Sequence, residues 1–325
     1  MSIRGLFVGR VSAFALLGTI LGMLLAPITA SFGEDAIAYC GGFGGKVFGF
    51  EIVGDRAYVV EGGALAIYDL SNPSSFLLLG RVLLPEANLT HSAFARIKIS
   101  GDRVYAGFIN SEYLSSKANS FSIHAIDIST PATPVWLGSY KPEHAIGDFA
   151  VSGNYVFFED KADSWTEYRL VSLDMTQPAT PAIAGTLPVA PLFTVFWIEG
   201  ATLNAIAGCS YLASFDITTP TAPTLITQNQ ISPTTELFPN NAVKESTTLY
   251  VASSNFLDGE NYFCIYDISV PSSPVVLSET LLPNSHGISD VAVAGQVAYV
   301  LSKEVYVSPE DTYKLFMYKI GRAHV

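Results

Sequence analysis

Apolar residues come in short runs of about four to seven, broken by Gly, Asn, Asp or Pro, and nowhere settle into a helical period. Runs such as Leu65-Ala66-Ile67-Tyr68 and Phe263-Cys264-Ile265-Tyr266 are rich in branched and aromatic residues, which predicts many short strands linked by turns. One punctuation mark recurs five times. It reads Asp69-Leu70-Ser71-Asn72-Pro73, Asp127-Ile128-Ser129-Thr130-Pro131, Asp174-Met175-Thr176-Gln177-Pro178, Asp216-Ile217-Thr218-Thr219-Pro220 and Asp267-Ile268-Ser269-Val270-Pro271. Pro134, Pro181, Pro223 and Pro274 follow three residues later in the last four copies. The spacing from Asp to Asp, about 42 to about 58 residues, is that of propellers and solenoids.

A second mark precedes each Asp. Gly54-Asp55, Gly101-Asp102, Gly153-Asn154 and Gly295-Gln296 interrupt strand-like runs where a tight hairpin needs positive φ; Gly200-Ala201 and Ser246-Thr247 are degenerate copies. Each repeat therefore reads as four strands. The first two flank the Gly turn, the third runs into the Asp, and the fourth starts after the prolines, which cannot donate to a sheet ladder. The Asp carboxylate is expected to cap the proline turn. Four antiparallel strands, about six times over, predict an all-β fold: a β-propeller of four-stranded blades with its last blade incomplete.

The strand runs ending in Asp69-Leu70 and Asp267-Ile268, each followed by Ser-x-Pro, resemble the LVIVD-repeat family of exported β-propellers. The resemblance spans roughly residues 46–320. It implies the propeller fold and export, and little chemistry. Phe76 stands where the first copy's second proline belongs, and Lys319 replaces the Asp in the sixth.

The N-terminus reads differently. Arg4 and Arg10, the apolar stretch from Val11 to Leu25 and the small residues around Ala30 predict a signal peptide over 1–30, cleaved near Ala30-Ser31, with 31–45 as a lead-in. The chain is thus expected to be exported, with no membrane span after cleavage. At the other end, strand three of the sixth repeat reaches Lys319-Ile320 without the prolines that follow elsewhere. Residues 321–325, Gly-Arg-Ala-His-Val, read as a non-native tail. Cys209 and Cys264 can pair across neighbouring repeats or remain buried thiols.

A net charge of -12 argues against nucleic acid as a partner. Strand parity then divides the molecule. Gly hairpins and proline turns share one short, uniform face, whereas the second-to-third loops and blade connections share the other. Insertions fall on this second face, around Asn110–Ser120, Glu159–Glu167, Ser253–Asn261 and Ser302–Thr312. They are acidic and carry Tyr113, Trp165, Phe256, Tyr306 and Tyr313, the candidate binding residues for a protein or glycan. His144 with Asp148 and His286 with Asp290 share one spacing before strand one. They admit two readings: a divalent-metal or polar-ligand site at the channel mouth, or hydrogen bonds that fix blade connections. No nucleophile elbow, phosphate loop or zinc-protease motif is present. The leading expectation is a non-catalytic binding scaffold without a cofactor. The alternative is a metal-dependent hydrolase or lyase at the channel mouth.

Overall fold

A computed structural model describes residues 47–72, 75–85, 92–110, 121–142, 148–161, 168–189, 193, 195–207, 211–230, 237–255, 260–270, 273–282, 288–294, 297–303 and 313–319. These residues form strands and turns with no helix among them. Blade one is β1 (Val47–Val53), β2 (Arg56–Glu61), β3 (Ala64–Asp69) and β4 (Leu77–Leu83). Blade two is β5 (Ser92–Ser100), β6 (Arg103–Asn110), β7 (Phe121–Asp127) and β8 (Val135–Tyr140). Blade three is β9 (Phe149–Ser152), β10 (Tyr155–Lys161), β11 (Tyr168–Asp174) and β12 (Ala182–Val189). Blade four is β13 (Val195–Glu199), β14 (Thr202–Ala207), β15 (Tyr211–Asp216) and β16 (Thr224–Gln230). Blade five is β17 (Leu237–Glu245), β18 (Thr248–Asn255), β19 (Asn261–Asp267) and β20 (Val275–Leu282). The sixth sheet has three described strands, β21 (Ile288–Ala294), β22 (Val297–Lys303) and β23 (Tyr313–Lys319). Every sheet is an antiparallel meander in chain order, so the repeat predicts both the blades and the partial sixth.

The core lies between blades. Side chains of β10 show why the middle strands read as unbroken apolar runs. Phe158 packs toward blade two with Tyr105 and Ile123, while Phe157, one residue earlier, packs toward blade four with Phe196 and Phe215. Successive side chains leave opposite faces of a strand, and both faces are covered. Equivalent seams join blades one and two, four and five, and five and six. Cys264 is fully buried in the seam between blades four and five; Cys209 lies outside the described residues.

The recurrent motif is a turn fastened at three points. In each copy the Asp Oδ1 accepts the N–H two residues on: Ser71, Ser129, Thr176, Thr218 and Ser269, at 2.7–2.8 Å. These hydrogen bonds hold all five carboxyls below the usual carboxylate range. The next residue donates its N–H to the Gly hairpin, as Ile128 does to the Asp102 carbonyl at 2.9 Å and Met175 to that of Asn154 at 2.9 Å. This places hairpin and proline turn on one face, as strand parity requires. A β-turn with proline at its second position completes the unit, Thr133 N–H donating to the Thr130 carbonyl at 2.9 Å.

The turn also reaches into the neighbouring blade. Opposite the end of each third strand, the fourth carries a one-residue bulge, at Leu79, Leu137, Ala184, Ile226 and Leu277. The residue after the bulge is Gly80, Gly138 or Gly185 in blades one to three. A Cβ on these would stand 2.3 Å from the Pro131 carbonyl oxygen, 1.9 Å from that of Pro178 and 2.5 Å from that of Thr221. Each glycine thus admits the proline turn of the following blade. Thr227 and Ser278 occupy the place in blades four and five, where a Cβ is already present.

Blade five's degenerate hairpin keeps the shared backbone without glycine. Ser246 adopts φ 52°, beside Gly54, Gly101, Gly153 and Gly200 at φ 56–62° in blades one to four. An L-residue there costs about 1 kcal/mol. Ser246→Gly is therefore expected to raise stability by about 0.5–1 kcal/mol, read as a higher urea midpoint with an unchanged slope.

Candidate functional site

Two regions were candidates: the loop face and the channel. Tyr113, Trp165, Phe256 and Tyr306 lie outside the described residues, as do His144 and His286. Tyr313 opens β23 opposite Lys303, and Asp290 sits in β21 opposite Leu301. Blade one joins its middle strands with only Gly62 and Gly63, both at positive φ, whereas blade two uses the ten residues 111–120. The face opposite the proline turns therefore carries connections of very unequal length.

Strands extend further into those connections than the sequence led one to expect. Glu159 and Asp160, expected on a solvated loop, are the last turns of pleat in β10 and are buried. Two contacts hold the strand together this far. Asp160 Oδ2 accepts from Arg169 Nη2 at 2.7 Å, directly across the β10–β11 pair. On the other face, Glu159 Oε2 accepts the backbone N–H of Phe193, in the segment that leads to blade four. Its Oε1 has no hydrogen-bond partner among the described residues. Burial, aided by the neighbouring Asp160 carboxylate and opposed by the Phe193 N–H, pushes the Glu159 carboxyl up to about 9.

The inner strands pack in order, β1 on β5, β5 on β9, β9 on β13, β13 on β17 and β17 on β21. They line an axial cavity of about 310 Å³. Positions five residues before the hairpin are Gly49, Arg96, Asp148, Val195 and Asn241; those three before are Glu51, Lys98, Ala150, Trp197 and Val243. All but Ala150 and Gly49 contribute to the cavity wall. Asp148 is buried just ahead of β9. Its Oδ2 accepts the Phe196 N–H at 3.1 Å, and its Oδ1 lies 3.4 Å from Lys98 Nζ, too poorly aligned for a hydrogen bond. The Lys98 ammonium supplies at this carboxylate the positive charge that a bound cation would otherwise bring. Among the described residues no three His, Cys, Asp or Glu side chains converge as metal ligands.

Sequence reasoning singled out Asp148 and passed over Arg96, Lys98, Trp197 and Asn241. Aligning the blades on their hairpin glycines would have exposed them, since residues at one register around an axis face one another. His124, also passed over, is a core residue. Trp136 Nε1 donates to its Nδ1 at 3.2 Å, so the ring is neutral and its Nε2–H points to Ser122 Oγ, 3.0 Å away.

The profile of the LVIVD repeat matches residues 44–83, 95–141 and 249–280, which fall on blades one, two and five. The chain is a β-propeller that carries the LVIVD repeat in three of its blades. Among solved structures, the propeller is similar to the computationally designed Ika8 protein, at TM-score 0.51 and 12% identity over 86% of this chain and 72% of that one. It is also similar to a hypothetical selenium-binding protein from Sulfolobus tokodaii, at TM-score 0.50 and 13% identity over 82% and 76%. Likeness at this identity concerns the fold alone. No curated protein matches the sequence.

Proposed function

We propose that this LVIVD-repeat propeller is an exported, non-catalytic scaffold that binds a protein or glycan partner through its variable loop face. One observation carries the reading. Hairpins and proline turns are fastened alike in all five complete blades, with their carboxylates committed to backbone N–H groups, while length varies only in connections on the opposite face. A rigid frame that presents unequal loops on one side is the usual arrangement of a binding protein. Those loops bring Tyr113, Trp165, Phe256 and Tyr306 among acidic residues, and aromatic side chains bury large area at low entropic cost. Export rests on the basic, apolar and small-residue segments of residues 1–30.

The test has two parts. N-terminal sequencing of the protein made in an exporting host should begin near Ser31. Partners found by glycan array and by cross-linking at the cell surface should be lost, by about tenfold or more in affinity, in Trp165→Ala or Phe256→Ala at unchanged melting temperature. Gly101→Ala, in a hairpin at φ 56°, should instead lower the melting temperature and leave the affinity of the folded fraction intact. Binding that survives both loop substitutions would overturn the assignment.

A further inference from the structure

We infer that the axial cavity is a binding site for a small zwitterion of free amino-acid size, separate from the loop face. What serves the scaffold repeats from blade to blade, as the Asp-capped turn does five times. At the two axial registers the blades differ: Arg96, Asp148 and Asn241 stand beside Gly49 and Val195 at one level, and Glu51, Lys98 and Trp197 beside Ala150 and Val243 at the next, and Asp148 and Ala150 alone recur in sequence, as Asp290 and Ala292 of blade six. The two levels lie about 7 Å apart along the strands. Small residues on some blades leave the space that large polar ones on others surround.

Trp197 Nε1 and Asp148 Oδ1 are buried on this wall and make no hydrogen bond among the described residues. Trp197 is 9% exposed, and its Nε1 has no acceptor. Asp148 Oδ1 has no donor in hydrogen-bonding geometry. Elsewhere the indole is packed against Ile206, Leu212, Leu249 and other apolar side chains of the seam between blades four and five. The cavity, whose wall Trp197 joins, is where a partner for its N–H can enter. A buried indole N–H ordinarily has such a partner, and leaving it without one is costly.

Charge selects the ligand class. Among the described residues Arg96, Lys98 and Lys244 balance Glu51, Asp148 and Glu199 around the cavity, with Lys98 facing Asp148 and Lys244 facing Glu199. An ion of either sign would bring a charge that these balanced groups do not offset, which is unfavourable away from bulk water. A neutral polyol would meet these groups without charge-assisted bonds. A zwitterion brings both: its carboxylate toward the Trp197 N–H and the cations, its ammonium toward Asp148. A volume of about 310 Å³ lies at the small end of the range for small-molecule sites, which suits a free amino acid.

Calorimetry and thermal shift on the purified chain should be run with glycine, serine, glutamine, leucine and phenylalanine, with glucose and citrate as controls. At least one amino acid should bind with Kd below about 1 mM and raise the melting temperature, while glucose and citrate should not. Trp197→Phe keeps the apolar ring and removes only the N–H, and should weaken that binding by about tenfold. Asp148→Asn should weaken it as much or more. The inference is overturned if none of the five binds, if only glucose or citrate binds, or if Trp197→Phe binds as tightly as the native chain. Substitutions at Trp165 and Phe256 should leave it unchanged, so its failure is distinguishable from that of the loop-face reading.

Discussion

At pH 8, Glu159→Gln is expected to be more stable than the native protein by up to about 5 kcal/mol, and at pH 4 the two should be nearly equal. The unfolded chain ionises this glutamate near its ordinary value of 4.5, while the folded protein holds it up at about 9. Below 4.5 both states are protonated and the full stability is present. As pH rises toward 9 the unfolded state releases a proton that the folded state keeps, and stability falls by about 1.4 kcal/mol per pH unit at most. Glutamine is neutral throughout, and its side-chain oxygen can still accept the Phe193 N–H that Glu159 accepts now. Urea titrations at several pH values check this. A stability difference that does not change between pH 4 and pH 8 would contradict burial as the cause.

Gly138→Ala is expected to cost about 3 kcal/mol or more, enough to depress expression of folded protein. The new methyl would stand 1.9 Å from the Pro178 carbonyl oxygen and 2.8 Å from the Ala179 nitrogen, both backbone atoms that no rotamer change can move aside. The turn of blade three must then back out, and its three fastenings move with it. Thr227→Ala, at the equivalent place in blade four, should change stability by no more than about 1 kcal/mol, because a Cβ is already accommodated there. Thermal unfolding of the pair separates a general sensitivity of fourth strands from a seat peculiar to glycine. Similar losses in both variants would refute the seat.

Most of the scaffold was legible because it repeats. The Asp of each motif had one local partner in reach, the N–H two residues on, so its capping role could be read from Asp127-Ile128-Ser129 alone. Gly80, Gly138 and Gly185 recur at a fixed distance from the motif, yet their meaning lies in the carbonyl of another blade, which no single repeat contains. The end of β10 was misjudged for a related reason. Glu159 and Asp160 are charged, and charge in a short run reads as loop until Arg169 and the Phe193 N–H are seen beside them. The axial residues were least legible of all. Arg96, Lys98 and Trp197 share no motif, because each differs from its counterparts at the same register in the other described blades.

The contact between a fourth-strand glycine and the following blade's turn gives the ring a grain. Gly80 receives Pro131, Gly138 receives Pro178 and Gly185 receives Thr221, always from the blade that comes next in the chain. Lock and key are thus encoded in different repeats. A transplant cut at the borders of a sheet would carry a key away from its lock on one side and import a stranger on the other. Recombination that begins within β4 and ends after the next proline turn would move both halves together, so the module available for shuffling is the join between blades.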